Sequence, residues 1–342
     1  MPELHPIALD AMGGDRGVDV TVAAAVSALR HFDDIRLVLV GDQAVLGRKL
    51  QELDVGPSER LVLRHASQVV EMHDPPAQAL RMKKDSSMRV AINLVKAGEA
   101  GAAVSAGNTG ALMATSRFVL KTLRGIDRPA IITSIPSIHG HTHMLDLGAN
   151  VDCRAEHLFQ FAAMGSILAS AVDGTDNPRV GLLNVGQEVI KGNEQVKEAN
   201  RLLENSPLNY IGYVEGDDIY CGEVDVVVCD GFVGNISLKT SEGVARMVKH
   251  FVHREFNRTL LTRLGGLMAV PVLRAVGRRI EPRRYNGASL LGLQGIVIKS
   301  HGGADVFAFE NAIKIARIGI QMGVPQRISK QLERLFDDGQ LN

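Results

Sequence analysis

Tryptophan is missing from this chain, and the other large aromatics are few: ten Phe and four Tyr in 342 residues. Neither sign of charge prevails, since 38 Lys and Arg face 38 Asp and Glu. Few aromatics without a basic excess argue against a nucleic-acid stacking platform, so no nucleic acid is expected as a partner. Only three cysteines occur, Cys153, Cys221 and Cys229, with no C-x-x-C pair and no basis for a disulfide framework. Cys221 and Cys229 read as small core residues. The start of the chain, MPELHP, lacks the basic-then-apolar pattern of a secretion signal. No uninterrupted apolar run approaches the roughly 18 residues of a membrane span. The expectation is a cytoplasmic protein without a spanning helix. Three nucleotide and hydrolase signatures are missing too: no G-x-G-x-x-G follows a strand, and neither G-x-x-x-x-G-K-[S/T] nor G-x-S-x-G occurs.

Glycine is what the chain has in excess, 35 residues against a usual share of about 7%. Short β-branched runs at 6–10, 35–41, 61–65, 102–105, 130–135, 144–147, 179–184, 210–214, 224–230 and 296–299 predict strands. Helical spacing between them, at 18–32, 88–96, 109–120, 155–171 and 194–204, predicts an α/β fold with a largely parallel sheet. No Pro/Ser-rich linker divides the chain, so residues 1–342 read as one α/β domain with lobes.

The glycines fall where strands end. Asp10, Gly13 and Gly14 follow the first predicted strand, and Ser105, Gly107, Asn108, Thr109 and Gly110 follow the fourth. Asn150, Asn184, Asp230, Lys299, His301 and their neighbouring glycines follow later ones. Ligands of open parallel sheets bind beyond the carboxyl ends of the strands. Glycine turns there free N–H groups for an anion, and the next helix N-terminus adds its dipole. Lys191 can neutralise a phosphate or an oxyanion, or be a solvated loop lysine. Asn235 can cap a helix, face the ligand, or do both. Asp10 and Asp230 can likewise cap turns instead of binding ligand. His139, His141 and His143 alternate, which on one strand face would invite a metal.

Several long stretches, in the expected order from residue 7 to past 310, carry a family resemblance. They are IALDAMGGD (7–15), VSAGNTGALMA (104–114), LDLGAN (145–150), GLLNVG (181–186) with KGNE (191–194), DVVVCDGFVGN (225–235), GASLLGL (287–293) and IKSHG (298–302). Together they resemble the bacterial phosphate acyltransferases of phospholipid synthesis. The resemblance implies a three-layer αβα fold of the isocitrate/isopropylmalate dehydrogenase type, usually a homodimer, with no nicotinamide or metal. It implies transfer of a fatty acyl group from acyl carrier protein to inorganic phosphate. The acyl phosphate formed would pass to a membrane glycerol-3-phosphate acyltransferase. That chemistry needs positioning and oxyanion stabilisation more than a covalent nucleophile. The expected roles are phosphate on the 105–110 loop, Lys191 and Asn235 as the catalytic pair, and Asp10, Gly13 and Gly14 as the adjacent wall. No metal is expected, because the reaction does not require one.

Residues 236–284 read as an inserted helical hairpin. Helical spacing over 244–264 is followed by Gly265-Gly266 as a break, an apolar tip at 267–273 and a short basic helix at 274–280. Between Arg246 and Arg284 lie ten Lys and Arg against two Glu, a local charge of +8, which leaves −8 for the rest. Arg254, Arg258, Arg263, Arg274, Arg278 and Arg279 around Leu267 and Val270 suit an anionic membrane surface or the acidic carrier protein. The apolar stripe of the hairpin suits a dimer interface. The resemblance implies a peripheral membrane protein. Three alternatives stay open: a decarboxylating dehydrogenase of similar architecture, a phosphotransacetylase using coenzyme A, and a non-catalytic adaptor that recruits acyl carrier protein to membranes.

Overall fold

A computed structural model describes residues 4–337. Eleven strands form one sheet: β1 (His5–Asp10), β2 (Ile35–Gly41), β3 (Leu61–His65), β4 (Ala102–Ser105), β5 (Ala130–Ser137), β6 (Gly140–Leu145), β7 (Val180–Leu183), β8 (Tyr210–Val214), β9 (Val226–Val228), β10 (Ala288–Leu291) and β11 (Ile296–Lys299). The helices are α1 (Gly17–His31), α2 (Gln43–Glu52), α3 (Pro76–Met82), α4 (Ser87–Lys96), α5 (Thr109–Leu120), α6 (Ala155–Asp173), α7 (Glu194–Glu204), α8 (Asp218–Cys221), α9 (Gly231–Phe256), α10 (Leu260–Ile280), α11 (Val306–Gln321) and α12 (Val324–Asp337).

The strand order is β3-β2-β1-β4-β11-β10-β5-β6-β9-β7-β8. Seven of the ten pairings are parallel; β11–β10, β10–β5 and β5–β6 are antiparallel. Those three reversals leave β6, β9, β7 and β8 running opposite to β1, β4 and β11. The carboxyl ends of the two strand groups therefore lie at opposite edges of the sheet.

Period-two alternation distributes the core. Ile7 and Leu9 face α1 and α11, whereas Ala8 faces the α4 side. Beyond β10 the first face continues through Ala130, Ile132 and Leu145 against α6 and α12. The result is the expected three-layer αβα arrangement. On the α1/α11/α6 face a cleft of about 110 Å³, floored by Ile132, Ser289 and Ile296, separates the two packed groups of helices. On the other face the core is continuous, so one sheet spans both lobes.

One predicted strand shifts and one strand is additional. The sixth strand starts at Gly140, earlier than the predicted 144–147, and pairs with β5 residue by residue from Ile132↔Leu145 to Ser137↔Gly140. The strand β10 is one that the apolar pattern does not predict, because its four residues between Gly287 and Gly292 carry too short a signal.

The hairpin is corrected more substantially. The first arm begins at Gly231, and the turn falls at Asn257–Thr259 rather than at Gly265-Gly266. Thr259 accepts from the Thr262 N–H at 3.1 Å and Thr262 Oγ1 accepts from the Thr259 N–H at 3.0 Å, a reciprocal cap that starts the second arm. Gly266 lies inside that arm, where an added Cβ would meet the Phe256 ring at 2.9 Å. The glycine serves close approach of the two helices and does not interrupt one. Leu267 and Val270 are consequently mid-arm and form no tip, and Arg263, Arg274, Arg278 and Arg279 lie along the same helix. The stretch 260–285 is long and apolar enough, by length and composition, to cross a membrane, and its helix Leu260–Ile280 has no buried residue. This corrects the expectation that no such segment exists, because Arg263 and Arg274 interrupt the run that a search for uninterrupted apolar residues follows.

Candidate active site

The carboxyl ends of β1, β4 and β11 meet in one cluster. Asp10, with 1% of its surface exposed, accepts from Ser87 Oγ at 2.5 Å and from Ser105 Oγ at 2.6 Å. Ser105 Oγ in turn accepts from the Gly107 N–H at 3.0 Å. Burial pushes the Asp10 carboxyl upward, and the two serine hydroxyls pull against that shift. Three glycines keep the wall close. A Cβ on Gly13 would stand 2.5 Å from Asp10 Oδ2, and one on Gly107 2.8 Å from Met88 Cε. Gly14 has φ +95° and leaves room for Ala106, while the next N–H, of Asp15, donates to Gly302 O at 2.9 Å.

Lys299 closes the cluster. Its side chain is half-buried by area, but its ammonium turns inward to the carbonyls of Ala106, at 3.3 Å, and Ser300. Burial of that head group lowers its pKa to about 8, against the opposing pull of Asp10 and Asp15. Lys239 of α9 adds positive potential at both Lys299 and His301. Burial also lowers His301, whose backbone N–H donates to Asn286 Oδ1 at 2.9 Å. Thr109 and Gly110 open α5 and are exposed. Their first-turn N–H groups, with the adjacent lysine, make a place for an anion.

Other predicted residues are committed elsewhere. Asn108 caps α5, accepting from the Ala111 N–H at 3.0 Å, and its amide donates to Met72 O at 2.8 Å and Asp74 O at 3.0 Å. Asn150 is a strut: its amide donates to Pro129 O at 2.8 Å and to Asp146 Oδ2 at 2.9 Å. Buried Asp146 also accepts from the N–H groups of Ile131, Ala149 and Asn150, which shapes the loop beneath α9. Asp230, and not Asn235, caps α9, accepting from the Val233 N–H at 2.9 Å. Asn235 is left exposed on the next turn, facing Gly148. Lys191 stands in a third group with Asn184, Gly186 and Gly192 after β7, 3.5 Å from Glu188. Among the described residues nothing joins Lys191 to Asp10, Ser105 or Lys299. Ser87 and Asp146 escaped the sequence reading: Ser87 looks like one more helix-opening serine, and Asp146 like one more strand-end acid.

A sequence model of the family described as "Fatty acid synthesis protein" matches residues 6–327. A phosphate acyltransferase of Alkalilimnicola ehrlichii is 62% identical over 336 residues, covering 98% of each chain. The phosphate acyltransferase of Methylococcus capsulatus is also 62% identical, covering 96% of this chain and 97% of its own. This chain belongs to the phosphate acyltransferase family. It is an enzyme of that type, a transferase tied to fatty acid and phospholipid synthesis. Among solved structures, a phosphotransacetylase from Streptococcus pyogenes aligns with TM-score 0.62 and 16% identity over 95% of this chain and 94% of its own. The EutD phosphotransacetylase of Staphylococcus aureus aligns with TM-score 0.60 and 18% identity over 93% of this chain and 94% of its own. At those identities the likeness concerns the fold.

Proposed function

We propose that this phosphate acyltransferase moves a fatty acyl group from the thioester of acyl carrier protein to inorganic phosphate. A phosphate oxygen attacks the thioester carbonyl, forming a C–O bond. The tetrahedral intermediate then expels the carrier thiolate, which takes a proton, and acyl phosphate leaves for the membrane glycerol-3-phosphate acyltransferase. The observation that supports this reading is the glycine-walled cluster around Asp10, where the Lys299 ammonium and the opening of α5 converge. Phosphate is already anionic near neutral pH, so the site has to hold it and stabilise the new oxyanion. Asp10 holds the Ser105 loop in shape; Lys299 and the first N–H groups of α5 hold phosphate; Asn235 and Lys191 orient it or stabilise the oxyanion. Among the described residues neither Lys191 nor Asn235 contacts the cluster in one chain, so their roles require those residues to reach it on lobe closure or across the homodimer.

The hairpin completes the reading. Its second arm has no buried residue, and Leu260, Leu261, Leu267 and Met268 are among the most exposed apolar side chains of the molecule. Such a surface calls for cover. We assign the apolar stripe to a homodimer contact, and the arginines, with Leu267 and Val270, to peripheral attachment at an anionic cytoplasmic membrane surface or to the acidic carrier.

The deciding experiment incubates the enzyme with phosphate and either palmitoyl-acyl carrier protein or palmitoyl-coenzyme A, and traps acyl phosphate with hydroxylamine. Hydroxamate from the carrier-protein donor well above that from coenzyme A is the expected result. Preference for coenzyme A would replace this reading with a phosphotransacetylase. Lys191→Ala and Asn235→Ala should each lower turnover at least tenfold, and near-normal turnover in folded variants would remove them from the mechanism.

A further inference from the structure

The pleat of β6 sends His141 and His143 to the same face. There α6 packs on the strand and ends at Asp173. His141 Nε2 lies 3.2 Å from Asp173 Oδ1, and His143 Nε2 lies 2.7 Å from Asp173 Oδ2. The two imidazoles stand edge to face, 81° apart with centroids 4.9 Å apart, so both Nε2 atoms converge on one carboxylate. We propose that His141, His143 and Asp173 bind a first-row divalent cation, zinc foremost, which clips β6 to the end of α6.

Two nitrogens and a carboxylate oxygen suit zinc, with bonds of about 2.0–2.2 Å. In a tetrahedral site the ligand atoms would then stand about 3.3 Å from one another. The three ligand atoms here already lie within 4.8 Å of each other. The surroundings favour the change from hydrogen bonding to coordination. Ser134 is the direct cross-strand partner of His143, and its Oγ lies 3.2 Å from His143 Nδ1. A hydroxyl donates or accepts equally well, so Ser134 Oγ can accept from the Nδ1–H tautomer of His143, which leaves the Nε2 lone pair for the metal. His143 is buried and holds the base of the site. His141, 35% exposed, and Asp173, 25% exposed, leave the fourth position open to water. The nearby Asp225 is engaged by Arg179 at 3.0 and 3.1 Å and supplies compensating charge without competing for the ion. None of these residues belongs to the acyl-transfer cluster, so the absence of any metal requirement in that reaction does not bear on this site.

The test uses the full-length protein after chelator treatment and desalting, with zinc alone and cobalt(II) alone as probes. One equivalent per chain should bind, and cobalt should give the intense visible absorption of a four-coordinate site. His141→Gln and Asp173→Asn should each weaken zinc binding at least tenfold and abolish the cobalt spectrum. Zinc should raise the melting temperature of the native protein but not of His141→Gln. His141 is partly exposed, so that variant remains informative if a change at buried His143 prevents folding. Binding by the native protein no tighter than by the variants, or a cobalt spectrum unchanged by them, would overturn the proposal and leave the three residues as a hydrogen-bonded cluster.

Discussion

Lys299 sits at the junction of stability and binding. Its pKa falls from an ordinary 10.5 to about 8, so between those values the unfolded chain binds more protons than the folded one. Stability should therefore rise with pH across that window, while below it the cost of the buried ammonium stays in full. Bound phosphate dianion reverses the preference, because it favours the charged lysine. The KM for phosphate should accordingly increase as pH passes about 8. Lys299→Met should raise that KM roughly tenfold or more, the scale of one lost charge-assisted contact, and flatten its pH dependence. Steady-state kinetics with phosphate varied between about pH 7 and 9 would decide, and an unchanged profile in the variant would assign the dependence to another group.

At the scale of elements, α9 is positioned by glycine. A Cβ on Gly234 would fall 1.9 Å from the carbonyl oxygen of Asp146, and one on Gly231 2.7 Å from Asn150 O. The helix start can seat on the 146–150 loop only without side chains there. Gly243, further along the same helix, has nothing within 4 Å of an added Cβ. Gly234→Ala should cost about 3 kcal/mol, the upper end of overpacking penalties. It should also reduce turnover, since α9 carries Asn235 and Lys239. Gly243→Ala should stabilise by about 0.5–1 kcal/mol through helix propensity alone. Urea unfolding of both variants measures the contrast, and equal effects would refute this account of the docking.

For the whole molecule, zero net charge is the sum of a +8 hairpin and a −8 remainder. Among the described residues no carboxylate pairs with Arg254, Arg263, Arg274, Arg278 or Arg279, whereas Arg258 meets Glu255 at 3.5 Å. Unpaired cations beside exposed Leu267 and half-buried Val270 favour an anionic interface, with an attraction that salt screens. Leu267→Asp with Val270→Asp should reduce flotation with phosphatidylglycerol vesicles several-fold and leave activity in solution intact. Native binding should weaken between about 0.05 and 0.5 M salt. Flotation unaffected by the double change would remove this arm from the proposed membrane attachment.

Much of this protein is written in short-range pattern. Buried strands such as β2 read as unbroken apolar runs because helices cover both faces, and the strand-end glycines mark the site because close backbone approach excludes a Cβ. The sequence alone thus determined the α/β class, the family and the expectation that the Asp10 wall adjoins the Ser105–Gly110 loop; that Lys299 joins them came from the structure. It could not place the hairpin turn, because a glycine pair that admits Phe256 reads the same as a glycine pair that ends a helix. Nor could it distinguish Asn108 and Asn150, whose amides are spent on caps and struts, from Asn235, whose amide remains exposed. Strand direction was equally hidden. Three antiparallel pairings at the centre of the sheet put Lys191 at the opposite edge from Asp10, and only the tertiary structure decides this, because pairing partners lie far apart in the chain. The same long-range packing sets Asp173 between His141 and His143, about 30 residues away in sequence.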